Sequence, residues 1–143
     1  MINQYRGLAI AILITSCIII VGMGHGAVPV IFAEVAFPIA KTLKFSLTLT
    51  NNDEDSIAAG ALFLLIGQLL LFISTHKLKL IMRLVALVMM WIGFFYLVHN
   101  IFTNGGSAFT FATGSPFLFL SVALFSFDVR QYWLQNKTDI EQE

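Results

Sequence analysis

Two stretches of this chain, Gly7 to Gly24 and Ile57 to Thr75, contain no charged residue. A hydrocarbon core of ~30 Å takes about 20 apolar residues as a helix, so runs of this length constrain the fold before anything else does. Two further stretches come close: Leu78 to Phe102, with Arg83 near its first turn, and Pro116 to Trp133. Only 11% of the residues are charged and 58% are hydrophobic, whereas soluble domains carry about 25% charged residues. The reading is an all-α integral membrane protein. It is a single domain, 1–143, built as a four-transmembrane-helix bundle with spans over about 7–24, 57–75, 78–102 and 116–133.

The boundaries follow from local chemistry. Asp53, Asp55 or Ser56 offers an N-cap for the second span. In "GSPFLFLSVALFSFDVRQYW" Ser115 reads as an N-cap and Pro116 as the first helical position, after an Asn-Gly-Gly-Ser loop at Asn104 to Ser107. The first run could be a signal peptide, with Arg6 as its basic start, but His25-Gly26-Ala27 is a poor cleavage site, so a retained span is expected. Between the first two spans lies an outer segment, 26–56. There Pro29 and Pro38 bracket "VIFAEVAF", too apolar for free solution and too short to span, which predicts an interfacial or re-entrant piece. "TLKFSLTLT", Thr42 to Thr50, alternates like a short strand or an extended lid.

Arg6, Lys77, Lys79, Arg83, Arg130 and Lys137 fall on one side of this arrangement and only Lys41 and Lys44 on the other. The bias places both termini in the cytoplasm, in a membrane such as the bacterial inner membrane. Tyr132 and Trp133 then mark the inner interface, and the Asn136-Lys137-Thr138 sequon sits on the cytoplasmic tail, where it goes unused.

Lys plus Arg equals Asp plus Glu at eight each, without a basic stripe, so nucleic acid is not an expected partner. A lone Cys17 excludes a disulfide framework or a CxxC pair within one chain and reads as a small core residue. There is no GxSxG, P-loop or HExxH. No carboxylate is expected inside the spans, since Asp128 with Arg130 reads as an interfacial pair near the inner end of span four. Ser16, Ser121 and Ser126 are lone helical hydroxyls, expected to bond back to a carbonyl.

Gln68 and Trp91 sit near the middle of spans two and three, within a turn of the same depth, which predicts a Gln68–Trp91 hydrogen bond. Gly60 and Gly67, seven apart, share a face for close helix approach. His25 and His99 both arrive at the outer interface, with Glu34 in the outer segment. These three are the candidate metal site, and two facing imidazoles also suit a haem. The competing reading makes His25 a cap of the turn formed by Gly22, Gly24 and Gly26, and His99 an interfacial residue with a wet polar tip. His76, beside Lys77, reads as interfacial. No cofactor is predicted outright, with haem or a divalent metal as the alternatives.

One helix, a Pro-containing loop, a Gly-bearing helix ("SIAAGALFLLIGQLLLF"), a short basic turn ("HKLKLIMR") and two more helices complete the layout. It resembles the small four-helix membrane proteins of the DoxX-like type. What that resemblance implies is an accessory membrane protein rather than a defined reaction, and no site residues transfer from it. The leading expectation is therefore an accessory, assembly or complex subunit without catalysis of its own, partnered by lipid and by another membrane protein or a second copy. The alternatives are a binder of a quinone, lipid or isoprenoid lined by Met90, Trp91, Phe94, Phe95 and Tyr96, and a metal or haem protein using the histidine pair.

Overall fold

The computed structural model describes residues 2–23, 26–36, 53–77, 80–99, 101–102 and 105–140. Along the chain run α1 (Ile2–Ile18), β1 (Ile20–Met23), β2 (Gly26–Pro29), α2 (Val30–Ala36), α3 (Asp53–Lys77), α4 (Leu80–Val98) and α5 (Gly105–Ile140). Three helical stretches, Ile57–His76, Leu80–Val98 and Gly105–Leu134, are long and apolar enough to cross a membrane. The apolar part of α1, Tyr5–Ile18, is shorter. The architecture is that of a multi-pass membrane protein, and its exposed apolar side chains, among them Ile10, Ile14, Phe72, Phe95 and Phe119, suit contact with lipid.

The first uncharged run does not stay helical as far as Gly24. Three isoleucines and a valine at 18–21, followed by Gly22, favour extended backbone over helix. The chain leaves α1 at Ile18 and turns into an antiparallel hairpin with register Ile20↔Pro29 through Met23↔Gly26. Gly24 and His25 lie outside the described residues, as do Pro38, Lys41, Lys44 and the whole of Thr42 to Thr50, where a strand or lid is expected.

A strand edge among apolar helices leaves backbone groups that need partners. Here α5 supplies them. Thr113 Oγ1 accepts from Ile20 N and donates to Ile20 O, both at 3.2 Å. One turn earlier, Thr110 Oγ1 accepts from Gly22 N at 3.1 Å. The approach is close enough that a Cβ on Gly22 would stand 2.6 Å from Gly106 Cα, so glycine is required there.

α3 and α4 form the tightest helix pair. A Cβ on Gly60 would lie 2.9 Å from Gly93 O, and one on Gly67 would lie 2.9 Å from Ala86 O. Gly60 and Gly67 thus do share the face that meets α4, as small residues at membrane helix contacts do. Phe94, Phe117, Leu64, Leu87, Met90 and Leu124 fill the core between α3, α4 and α5.

The expected start of the fourth span at Ser115–Pro116 is corrected: α5 begins at Gly105 and carries Pro116 inside it. Proline lacks the N–H that would reach the carbonyl four residues back. Ser115 Oγ instead donates to that same carbonyl, Ala112 O, at 2.9 Å, so the helix continues through the proline. α3 likewise begins at Asp53, which puts Asp55 and Ser56 in its first turn rather than at a cap.

Candidate functional site

Val30 N donates to Ile19 O at 2.7 Å, closing the base of the hairpin and directing α2 back beside the end of α1. α2 is apolar on its outside: Ile31, Phe32 and Val35 are exposed. Its buried stripe is Val30 and, one turn on, Glu34, which is only 2% exposed. A helix that shows hydrophobes outward and a carboxylate inward is inverted relative to a water-soluble one. Glu34 is also the sole Asp, Glu, Lys or Arg between Arg6 and Lys41.

Gln68 meets it from α3. The amide Nε2 donates to Glu34 Oε1 at 3.0 Å and to Ser16 Oγ of α1 at 3.1 Å. Ser16 Oγ in turn donates to Leu13 O at 2.8 Å. Three elements, α1, α2 and α3, thus converge on one buried polar cluster. Among the described residues no cation reaches Glu34. Burial pushes the carboxyl of Glu34, which lies outside the helices of spanning length, above the ordinary carboxylate range, and the Gln68 hydrogen bond opposes the shift.

The expected Gln68–Trp91 bond is replaced by two separate pairings. Trp91 Nε1 donates across to Ser121 Oγ of α5 at 2.8 Å, while Gln68 faces α1 and α2. Equal depth in the sequence does not fix which side of a helix a residue occupies, and here the two point to different neighbours.

The expected Asp128–Arg130 pair is also corrected. Asp128 is fully buried and pairs with Arg83 of α4, not with Arg130, which is exposed. The contacts are bidentate, Nη2 to Oδ1 at 2.6 Å and Nε to Oδ2 at 3.0 Å. The Arg83 guanidinium lies 5.4 Å from the Tyr5 ring centroid, which adds α1 to the same node. Arg83 is therefore committed to Asp128, with its charge balanced inside the bundle.

His99 sits just past the end of α4. Its Nδ1 is 2.9 Å from Tyr96 O, so the N–H is there and the free lone pair is on Nε2, a buried atom without a hydrogen-bond partner. The three candidate metal ligands are not brought together by what is described. Gly60 packs against Gly93 and Leu97, which sets His99 near the Ile57 end of α3, while Gln68 holds Glu34 about three turns further along, ~15 Å at 1.5 Å per residue. His25 lies outside the described residues. No group of three or more His, Cys, Asp or Glu among the described residues is arranged to hold a metal.

His76 is exposed at the end of α3 and packs edge-on against Phe72 at 5.2 Å between centroids. Met90 and Phe94 are core, Phe95 is exposed, and Tyr96 stacks on Phe63 at 5.8 Å, so the aromatic run does not line one cavity. Ser16, Ser121 and Ser126 do each bond back to a helix carbonyl, but Ser16 and Ser121 accept a second bond that sequence reasoning missed. No protein-family model, no curated protein and no solved structure matches this chain.

Proposed function

We propose that this chain is a small multi-pass membrane protein that binds a ligand inside its helix bundle, at Ser16, Glu34 and Gln68, and catalyses no reaction of its own. The observation that carries this reading is Glu34. A carboxylate turned into an apolar bundle, with no cation beside it among the described residues, is expensive to keep and marks a functional position by default. The inversion of α2, with phenylalanine outside and glutamate inside, supports it, and so does the interruption of the bundle by a hairpin and a half-helix at that point.

The reading includes four crossings with both termini in the cytoplasm. α1 has 17 residues, ~25 Å of helix, and β1 continues along α5 for four more, which together suit a first crossing. The six-to-two division of Lys and Arg supports the orientation. A bacterial inner membrane and a DoxX-like layout fit this picture but add no site residue.

The test is native mass spectrometry of protein extracted gently from its own membranes, wild type beside Glu34→Gln. A bound non-protein mass present in the wild type and absent from Glu34→Gln is expected. Protein that carries only a second polypeptide, equally in both, would replace this reading with that of an accessory subunit.

A further inference from the structure

The hydrogen atoms of the Ser16–Glu34–Gln68 cluster decide what kind of ligand it takes. Gln68 has two N–H donors, and both are used, on Ser16 and on Glu34. Ser16 has one O–H, used on Leu13 O. Elsewhere in the bundle Trp91 N–H is used on Ser121, and Arg83 turns two of its five N–H groups to Asp128. Among the described residues, and with Glu34 ionised, what remains at the cluster is acceptor capacity, on the second oxygen of Glu34 and on the carbonyl oxygen of Gln68. With Glu34 ionised, a quinone carbonyl, an ester or a phosphate finds no free donor among the described residues of the cluster. The residues are also closed in: Ser16 is 0%, Glu34 2% and Gln68 8% exposed.

We infer that the occupant of this cluster is a small monovalent cation, the proton included, held by Glu34 with the Gln68 carbonyl oxygen as second acceptor. This deepens the function proposed above and rests on it. An oxygen-only acceptor set with one negative charge matches one positive charge. The proton and a hard alkali ion share this chemistry. Among the described residues the titratable neighbour of Glu34 is Cys17 of α1; Gln68 and Ser16, which face Glu34 from α3 and α1, do not titrate.

The experiment uses the full chain in nanodiscs of neutral phosphatidylcholine. Thermal unfolding is followed at pH 9 in sodium or lithium chloride against choline chloride at equal ionic strength, and then in choline chloride as the pH is lowered. Sodium or lithium is expected to raise Tm by roughly 8 °C at 100 times its Kd, and Glu34→Gln to abolish the rise. If only falling pH raises Tm, and wild type shows an infrared carboxylic-acid band that Glu34→Gln lacks, the proton is the occupant and the inference stands.

Gln68→Glu provides a second variant. A second carboxylate should add one proton or cation to the uptake measured between pH 9 and pH 5. If Tm of wild type and Glu34→Gln responds identically to all three cations and to pH, the inference falls. A neutral molecule still retained by wild type and lost in Glu34→Gln would then leave the binding function in place. Retention of nothing that depends on Glu34 would remove both.

Discussion

Arg83 on α4 and Asp128 on α5 face each other through two parallel contacts, at 2.6 and 3.0 Å, with the Asp128 side chain wholly buried. Removing either partner strands the other charge in the bundle. Asp128→Asn or Arg83→Ala should therefore destabilise the protein by about 3–5 kcal/mol, while Arg83→Met with Asp128→Leu together should lose much less. Unfolding in detergent, run as a double-mutant cycle that includes Arg83→Met and Asp128→Leu singly, measures this. A loss in the double variant equal to the sum of the two single losses would show that the pair is not coupled.

Thr113 and Thr110 stand in for the neighbouring strand that β1 lacks. Thr113→Val keeps the shape but removes the group that serves both backbone atoms of Ile20, at about 1–3 kcal/mol for each polar group left unpaired. Thr113→Ser should restore most of it. Hydrogen exchange read at the Ile20 and Gly22 amides is the check, and unchanged protection in Thr113→Val would refute the pairing.

Gly22 and Gly26 make a matched comparison on one hairpin. A Cβ at Gly22 meets Gly106 backbone at 2.6 Å, and one at Gly26 meets nothing within 4 Å. Gly22→Ala should cost about 1–3 kcal/mol, as overpacking does, and Gly26→Ala should stay within about 0.5 kcal/mol. Thermal stability of the two purified variants decides between them.

Ser115 matters only because residue 116 is proline. Ser115→Ala should cost about 1 kcal/mol by leaving Ala112 O without a partner, and the same change in a Pro116→Ala background should cost close to nothing, since the restored N–H takes over that carbonyl. Additive losses in the double variant would contradict this.

These relationships mark where the sequence was legible. The apolar runs over α3 and α4 announced themselves, because length and absence of charge are properties of one segment alone. So did the glycine face of α3. What escaped were choices made between segments. "SP" is a sound start signal for a helix, yet a hydroxyl one residue before a proline serves equally well to carry a helix through it. Asp128 has Arg130 two positions away, but residues two apart on a helix point to different sides, and the partner came from α4.

Glu34 was read on a short segment apart from the spans, which α2 is, and assigned to the wrong company. Its neighbours in the sequence suggested an outer interface, while Val30 one turn earlier, the residue that shares its face, pointed inward. The pairing of Gln68 failed for a similar reason. Depth along a helix can be counted from sequence, whereas azimuth depends on which neighbours are present. The hairpin was the least legible element, since a strand inside a bundle depends on threonines about 90 residues away.

That separation sets an order of events during synthesis. The edge of β1 is complete only when Thr110 and Thr113 have been made and inserted, yet Ile20 leaves the ribosome 93 residues earlier. At about 5–20 residues per second, the hairpin waits some 5–20 seconds with its edge unmatched. Through that interval the hairpin between α1 and the half-helix bearing Glu34 has no finished edge, although the members of the polar cluster, on α1, α2 and α3, are all made before α5 begins. Biogenesis of this protein ends where its chain began.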